Sequence, residues 1–236
     1  MKINHKKLYL QELQANQKPS MIKFNLQFFK AQKGEYGYGD KFWGVPVPTQ
    51  RKILKKYIQF LTLQDIEDFL RNPIHEVRFS ALLALIEKYK VADRAEKNKL
   101  AKLFLDNVDR ANNWDFVDLA APAIAGEFWF NSSTKEMFDF AKSGDLWKER
   151  IAMVSTIYFI KKNRFEEAMK LCEFFLGNDR DLIQKASGWM LREVGKREQK
   201  LFYDFLDKHH KKMPRTMLRY AIEKLSREER EKYMER

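Results

Sequence analysis

Apolar residues recur along most of this chain at the spacing of one face of a helix. Over residues 49–60, Ile53, Leu54, Tyr57 and Ile58 form one stripe, and over 74–90 Val77, Ala81, Leu82, Leu85, Ile86 and Tyr89 form another. Asn72-Pro73 reads as the N-cap and first-turn proline of the second helix. Asp179 or Asp181 is placed to cap a helix that runs to about Val194, and Pro214 to open a further one. No segment shows the period of two that marks a half-buried strand. The expected fold class is therefore all-α.

The helices recur. Segments beginning at His75, Leu146, Asp181 and Lys211 each carry a basic residue near the start (Arg78, Arg150, Lys185 and Arg215), followed by apolar residues at helical spacing. With a further helix around Trp114, helix starts fall about 30–40 residues apart, the scale of a two-helix repeat. An α–α superhelix, or solenoid, is expected, with the equivalent basic positions in a row on its concave face. The chain reads as one domain over 1–236: an N-terminal helical region and loop over 1–48, then tandem repeats over 49–236. The stretch 30–48 is dense in Gly and Pro and marks that loop, read as an ordered connector.

Composition narrows the class. The 236 residues are 44% hydrophobic and 33% charged, enough apolar content for a substantial core. No apolar run approaches the ~20 residues of a membrane helix, and the N-terminus does not read as a secretory signal. The single cysteine, Cys172, fits a reducing compartment and is expected to be a buried small residue. The histidines His5, His75, His209 and His210 show no metal-ligand spacing.

The net charge of +12 favours a polyanionic partner, most simply nucleic acid. Residues 41–60 hold Lys41, Arg51, Lys52, Lys55 and Lys56 with no acidic residue, and residues 185–236 hold 15 basic against 9 acidic. This spread suits a surface that follows a phosphate backbone.

Three constellations could carry chemistry. In Asn112-Asn113-Trp114-Asp115-Phe116-Val117-Asp118, Trp114 and Asp118 share a helix face, whereas Asp115 points elsewhere and suits the positive helix N-terminus. In the run from Lys185 to Arg192, Trp189 shares a face with both cations, an arrangement suited to sugar, base or phosphate. The third is Trp147-Lys148-Glu149-Arg150. Taken one at a time, a tryptophan at helical spacing is usually core, an aspartate in a first turn is usually a cap, and none identifies an enzyme. Trp43, Trp129 and Trp147 are assigned to packing or loop anchoring.

Taken together, NWDFVD, LWKERIA, IQKASGWMLREVGKR and MPRTMLRYAIEKL resemble the HEAT-like-repeat DNA alkylation repair glycosylases of bacteria. The segment KGEYGYGDKFWGVPVPTQRKILKKY is similar to that family's N-terminal region, and the resemblance keeps its motif order over nearly the whole chain. It implies a HEAT/ARM-like fold and a monofunctional glycosylase that removes N7- and N3-alkylated purines from duplex DNA without drawing the base into a pocket, a departure from the usual extrusion. Asp118 matches the catalytic aspartate, Trp114 and Trp189 the two tryptophans that flank the deoxyribose, and Arg150 a backbone-contacting cation. Lys185, Arg192, Arg78, Arg215, Arg51 and Lys52 are further candidates for DNA contact. No metal or organic cofactor is implied.

The implied chemistry is coherent. The alkylated base is cationic and leaves readily, so one carboxylate suffices where sugar hydrolysis in general often uses two. That carboxylate stabilises an oxocarbenium-like sugar and orients the attacking water, and each indole face contributes ~0.5–2 kcal/mol of cation–π stabilisation. Position 113 is Asn, where some members carry a second aromatic, so lesion preference stays open. Two other readings remain: a non-catalytic binder of damaged or branched DNA on the same fold, and a HEAT-repeat scaffold for partner proteins. A monomer in the cytoplasm, associated with the nucleoid when bound to DNA, is expected.

Overall fold

The computed structural model describes residues 3–235, and its elements are helices. The chain divides into two compact units, 1–120 and 121–236. The first holds α1 (His5–Ala15), α2 (Pro19–Phe28), α3 (Val47–Tyr57), α4 (Leu63–Leu70), α5 (His75–Val91), α6 (Arg94–Leu105) and α7 (Trp114–Ala120). The second opens with a π-helical turn, Ala121–Ala125, followed by α8 (Gly126–Phe130), α9 (Lys135–Ala141), α10 (Leu146–Lys161), α11 (Glu166–Phe174), α12 (Asp181–Gly195), α13 (Gln199–His209), α14 (Arg215–Ala221) and α15 (Arg227–Met234). Pro122 has no N–H to offer the ordinary helical bond, and the turn around it widens. Among the described residues no helix is long and apolar enough to cross a membrane.

The first unit is built around α5. Thirteen of its seventeen residues are buried, because α3, α4, α6 and α7 all pack on it. The single stripe read from the sequence thus understates its burial. Helix α5 begins at His75, and its N-cap is Ile74 rather than Asn72. Asn72 acts one step earlier, its Oδ1 accepting from the Ile74 N–H at 2.9 Å. The N–H of His75 donates to the Lys41 carbonyl at 2.8 Å, while the Lys41 N–H donates to Pro73. This bridge satisfies an orphan donor of the helix start and presses the loop before α3 onto α5. Gly44 lets the same loop turn: its φ is +76°, and a Cβ there would stand 2.3 Å from the Lys18 carbonyl.

In the second unit α10, α12 and α14 lie side by side, with α11 packed on both α10 and α12. These three helices start at 146, 181 and 215, about 35 residues apart, the length of a two-helix repeat. Asp145 caps α10, accepting from the N–H groups of Trp147 and Lys148. Neither Asp179 nor Asp181 caps α12; the N-cap is Arg180, whose own N–H donates to Asn178 Oδ1 at 3.0 Å. Pro214 does stand immediately before α14. Gly188 permits α12 and α14 to meet closely, since a Cβ there would lie 2.3 Å from the Met217 carbonyl. Cys172 is fully buried.

Candidate active site

Helix α7 presents two faces. Phe116, Val117 and Ala120 are buried, while Trp114 and Asp118, one turn apart, remain half-exposed. Trp114 is braced from one side by aromatic rings. Phe28 meets it edge-on at 5.4 Å between centroids, and Phe29 lies nearly parallel at 5.8 Å. Phe24 stacks on Phe28 in turn at 5.4 Å, and both are about half exposed on α2, a helix with no buried residue. Asn113, fully buried, fixes the start of α7: its Oδ1 accepts from the Trp114 N–H at 2.9 Å, and its Nδ2 donates to the Phe29 carbonyl at 2.8 Å.

Beneath this face lies a polar cluster that sequence reasoning missed. The His75 ring is buried between two carboxylates, with Nδ1 2.8 Å from Asp40 Oδ2 and Nε2 2.9 Å from Asp115 Oδ2. Phe29, Phe42 and Phe116 pack against the ring at 4.5, 4.9 and 4.3 Å. Asp40 also pairs with Arg78 at 2.7 Å and accepts from Asn112 Nδ2 at 2.8 Å. Glu76, the next residue of α5, accepts from the backbone N–H groups of Trp43, Gly44 and Val45. Burial alone would push the His75 pKa down, but the Asp115 and Asp40 carboxylates outweigh it and hold it above the ordinary histidine value. Burial likewise works to raise the Asp40 pKa, yet His75, Arg78 and Asn112 together keep it below the ordinary aspartate value.

Asp115 therefore does not merely complement the helix dipole; it also holds the His75 ring. The separations of 35 and 40 residues carry no local pattern. The available signal was the group of polar residues His75, Glu76 and Arg78 at the head of a largely apolar helix.

The candidate cations fall into two groups. Arg78 and Arg150 are each 5% exposed and spend hydrogen bonds inside the protein. Arg78 donates to the Asn72 carbonyl at 2.9 Å and to Asn112 Oδ1 at 3.2 Å, next to α7; Arg150 donates to the Leu182 carbonyl in the first turn of α12. Arg78 thus ties α5 to the segment just before α7, and Arg150 ties α10 to the first turn of α12. Arg51 and Lys52 on α3 are exposed. Lys185 is half-exposed and pairs with Asp181 at 2.7 Å. Arg192 pairs with Glu223 and donates to the Tyr220 carbonyl at 3.2 Å, and Arg215 donates to the Met234 carbonyl at 3.0 Å.

Trp189 is half-exposed on α12, on the face shared with Lys185 and Arg192. Trp114 and Asp118 are thus brought together in the first unit, and Lys185, Trp189 and Arg192 in the second. Of the remaining tryptophans, Trp129 is buried with Nε1 donating to Glu136 at 2.8 Å.

A solved structure, a predicted DNA alkylation repair enzyme from Enterococcus faecalis, superposes with a TM-score of 0.71 at 17% identity, covering 90% of this chain and 98% of its own. At that identity the likeness is one of fold. No curated protein gives a significant match. The family model described as DNA alkylation repair enzyme matches residues 9–225, which spans α7, the buried cluster and α12. The chain belongs to the DNA alkylation repair enzyme family and so among the proteins of DNA repair.

Proposed function

We propose that this protein is a monofunctional DNA glycosylase that hydrolyses the N-glycosidic bond of cationic N7- and N3-alkylpurines in duplex DNA. The observation that carries the reading is the pairing of Trp114 with Asp118 on the half-exposed side of a helix whose other side is core. Phe28 and Phe29 brace the indole, and the arrangement leaves it half-exposed one turn from a carboxylate. It matches a reaction in which positive charge develops on a sugar.

In that reaction the C1′–N bond breaks and its electron pair returns to the base, neutralising the charge the alkyl group placed there. Asp118 stabilises the cationic sugar, orients a water toward C1′ and accepts the proton that water gives up. Trp114 supplies a ring face to the same cation. The base need not be drawn into a pocket, because it is already a good leaving group. Exposed Arg51 and Lys52, with Lys185, Arg192 and Arg215, supply phosphate contact. Arg78 and Arg150 act from inside, holding the starts of neighbouring helices in place. The surface pair of Lys185 and Asp181 is weak enough to yield to a phosphate.

The test is incubation with a duplex carrying one N7-methylguanine. Free base should appear while the strand stays intact until alkali cleaves the abasic site. Immediate strand cleavage, or no base, would contradict the reading.

A further inference from the structure

We propose that His75 is a positioning residue for α7, clamped as an imidazolium between Asp40 and Asp115 so that it holds the turn carrying Trp114 and Asp118. This inference rests on reading α7 as the catalytic helix.

The geometry requires two donors. Each ring nitrogen of His75 faces a carboxylate oxygen within 2.9 Å. A neutral imidazole has one N–H, so one of its nitrogens would turn a lone pair toward a carboxylate in a site walled by phenylalanines. The imidazolium satisfies both.

The two ends of the clamp differ. Asp40 is held independently by Arg78 and Asn112. Asp115 has His75 as its hydrogen-bond partner, and its Oδ1 is buried without one. The tie to Asp115, which lies between Trp114 and Asp118 in α7, therefore depends on His75 alone, and loss of the imidazolium proton takes the positive charge out of that bond. Phe29 extends the same linkage, since it packs on His75 at 4.5 Å and on Trp114 at 5.8 Å.

Of the other charges near α5, Arg78 touches the clamp, at its Asp40 end. Glu76 is consumed by backbone N–H groups and Arg78 by Asp40. Arg51, Lys52, Lys55 and Lys56 of α3 are exposed, as are Arg94, Glu96, Lys99 and Lys102 of α6, and Lys97 sits over Tyr89. On α4, Asp65 and Asp68 pair with Lys6, and Glu67 with Arg71.

The experiment combines ¹⁵N NMR of the histidine rings with single-turnover base release, on wild type and the near-isosteric Asp115→Asn. Wild-type His75 should show two protonated ring nitrogens at neutral pH and lose one at higher pH than an ordinary histidine. In Asp115→Asn that loss should move to lower pH, the Trp114 indole resonance should shift, and release should slow about tenfold or more. DNA affinity should stay within about threefold, and the alkaline limb of the rate profile should move with the His75 titration.

A neutral His75 at pH 7 in wild type overturns the clamp, and this needs no variant to fold. A variant less stable but unchanged in the Trp114 resonance and in rate would reduce His75 to a structural role. Absence of base release from wild type would fall on the glycosylase reading instead, with both NMR outcomes still deciding the clamp.

Discussion

Trp114 and Asp118 stand one turn apart on the half-exposed side of α7, while Phe116, Val117 and Ala120 of the same short helix are buried. The core contacts of α7 hold the helix and leave part of each side chain of the pair exposed. If Trp114 lends a ring face to a cationic sugar, Trp114→Ala should slow base release by about 2- to 30-fold, the rate equivalent of ~0.5–2 kcal/mol. Trp114→Phe should fall between wild type and the alanine variant. Single-turnover rates at saturating protein check this.

Arg51 and Lys52 are exposed. Replacing either with alanine should leave thermal stability unchanged and weaken binding to damaged and undamaged duplex alike. Each substitution should lower the slope of log affinity against log salt by about one. Titrations at several salt concentrations read this directly; an unchanged slope would remove these residues from the DNA surface.

Gly188 is a point of close approach between α12 and α14. A Cβ there would stand 2.3 Å from the Met217 carbonyl and 2.6 Å from the Tyr220 Cβ. Gly188→Ala should therefore destabilise, despite the better helix propensity of alanine, by roughly 1–3 kcal/mol. Each kcal/mol corresponds to about 2–4 °C in Tm for a chain of this size. A melting temperature equal to or above wild type would contradict the close packing.

Asp40 gives an acid-side dependence. Its folded pKa lies below the ordinary value, so its contribution to stability is complete above that ordinary value and is lost as pH falls through the folded one. Asp40→Asn should be less stable than wild type at neutral pH, and the gap should narrow in acid. Melting temperatures of both proteins from pH 7 to 3 measure it; a constant gap would mean that the carboxylate charge contributes nothing.

Much of this was legible in the chain, for local reasons. Helical periodicity marked α3, α5 and α12, Pro214 marked the start of α14, and the Trp114–Asp118 spacing placed both residues on one face. Helix starts were less legible where another segment supplied the partner. Asn72 was the obvious cap for α5, but the Lys41 carbonyl satisfies the His75 N–H there, which frees Asn72 for a turn. Helix α12 likewise starts without the aspartate cap expected for it, and Asn178 accepts from the N–H of Arg180 just before it.

The buried cluster was illegible for the same reason at longer range. Asp40, His75 and Asp115 meet only through tertiary packing, and each alone reads as a loop or first-turn residue. Arg78 and Arg150 recur at matching positions, as an exposed basic row would, yet they are buried and bonded to neighbouring segments. Recurrence in a repeat marks equivalent packing as readily as equivalent binding.

The most direct test of the glycosylase reading is the single-turnover rate of base release from a duplex carrying one N7-methylguanine, for wild type and Asp118→Asn, with binding measured in parallel. Wild type should release the base, and Asp118→Asn should be slower by about 10²-fold or more while binding within a few-fold of wild type. Firm binding with no release by wild type, or equal rates for the two proteins, would contradict the role assigned to Asp118 and leave a protein that recognises DNA without cutting the base away.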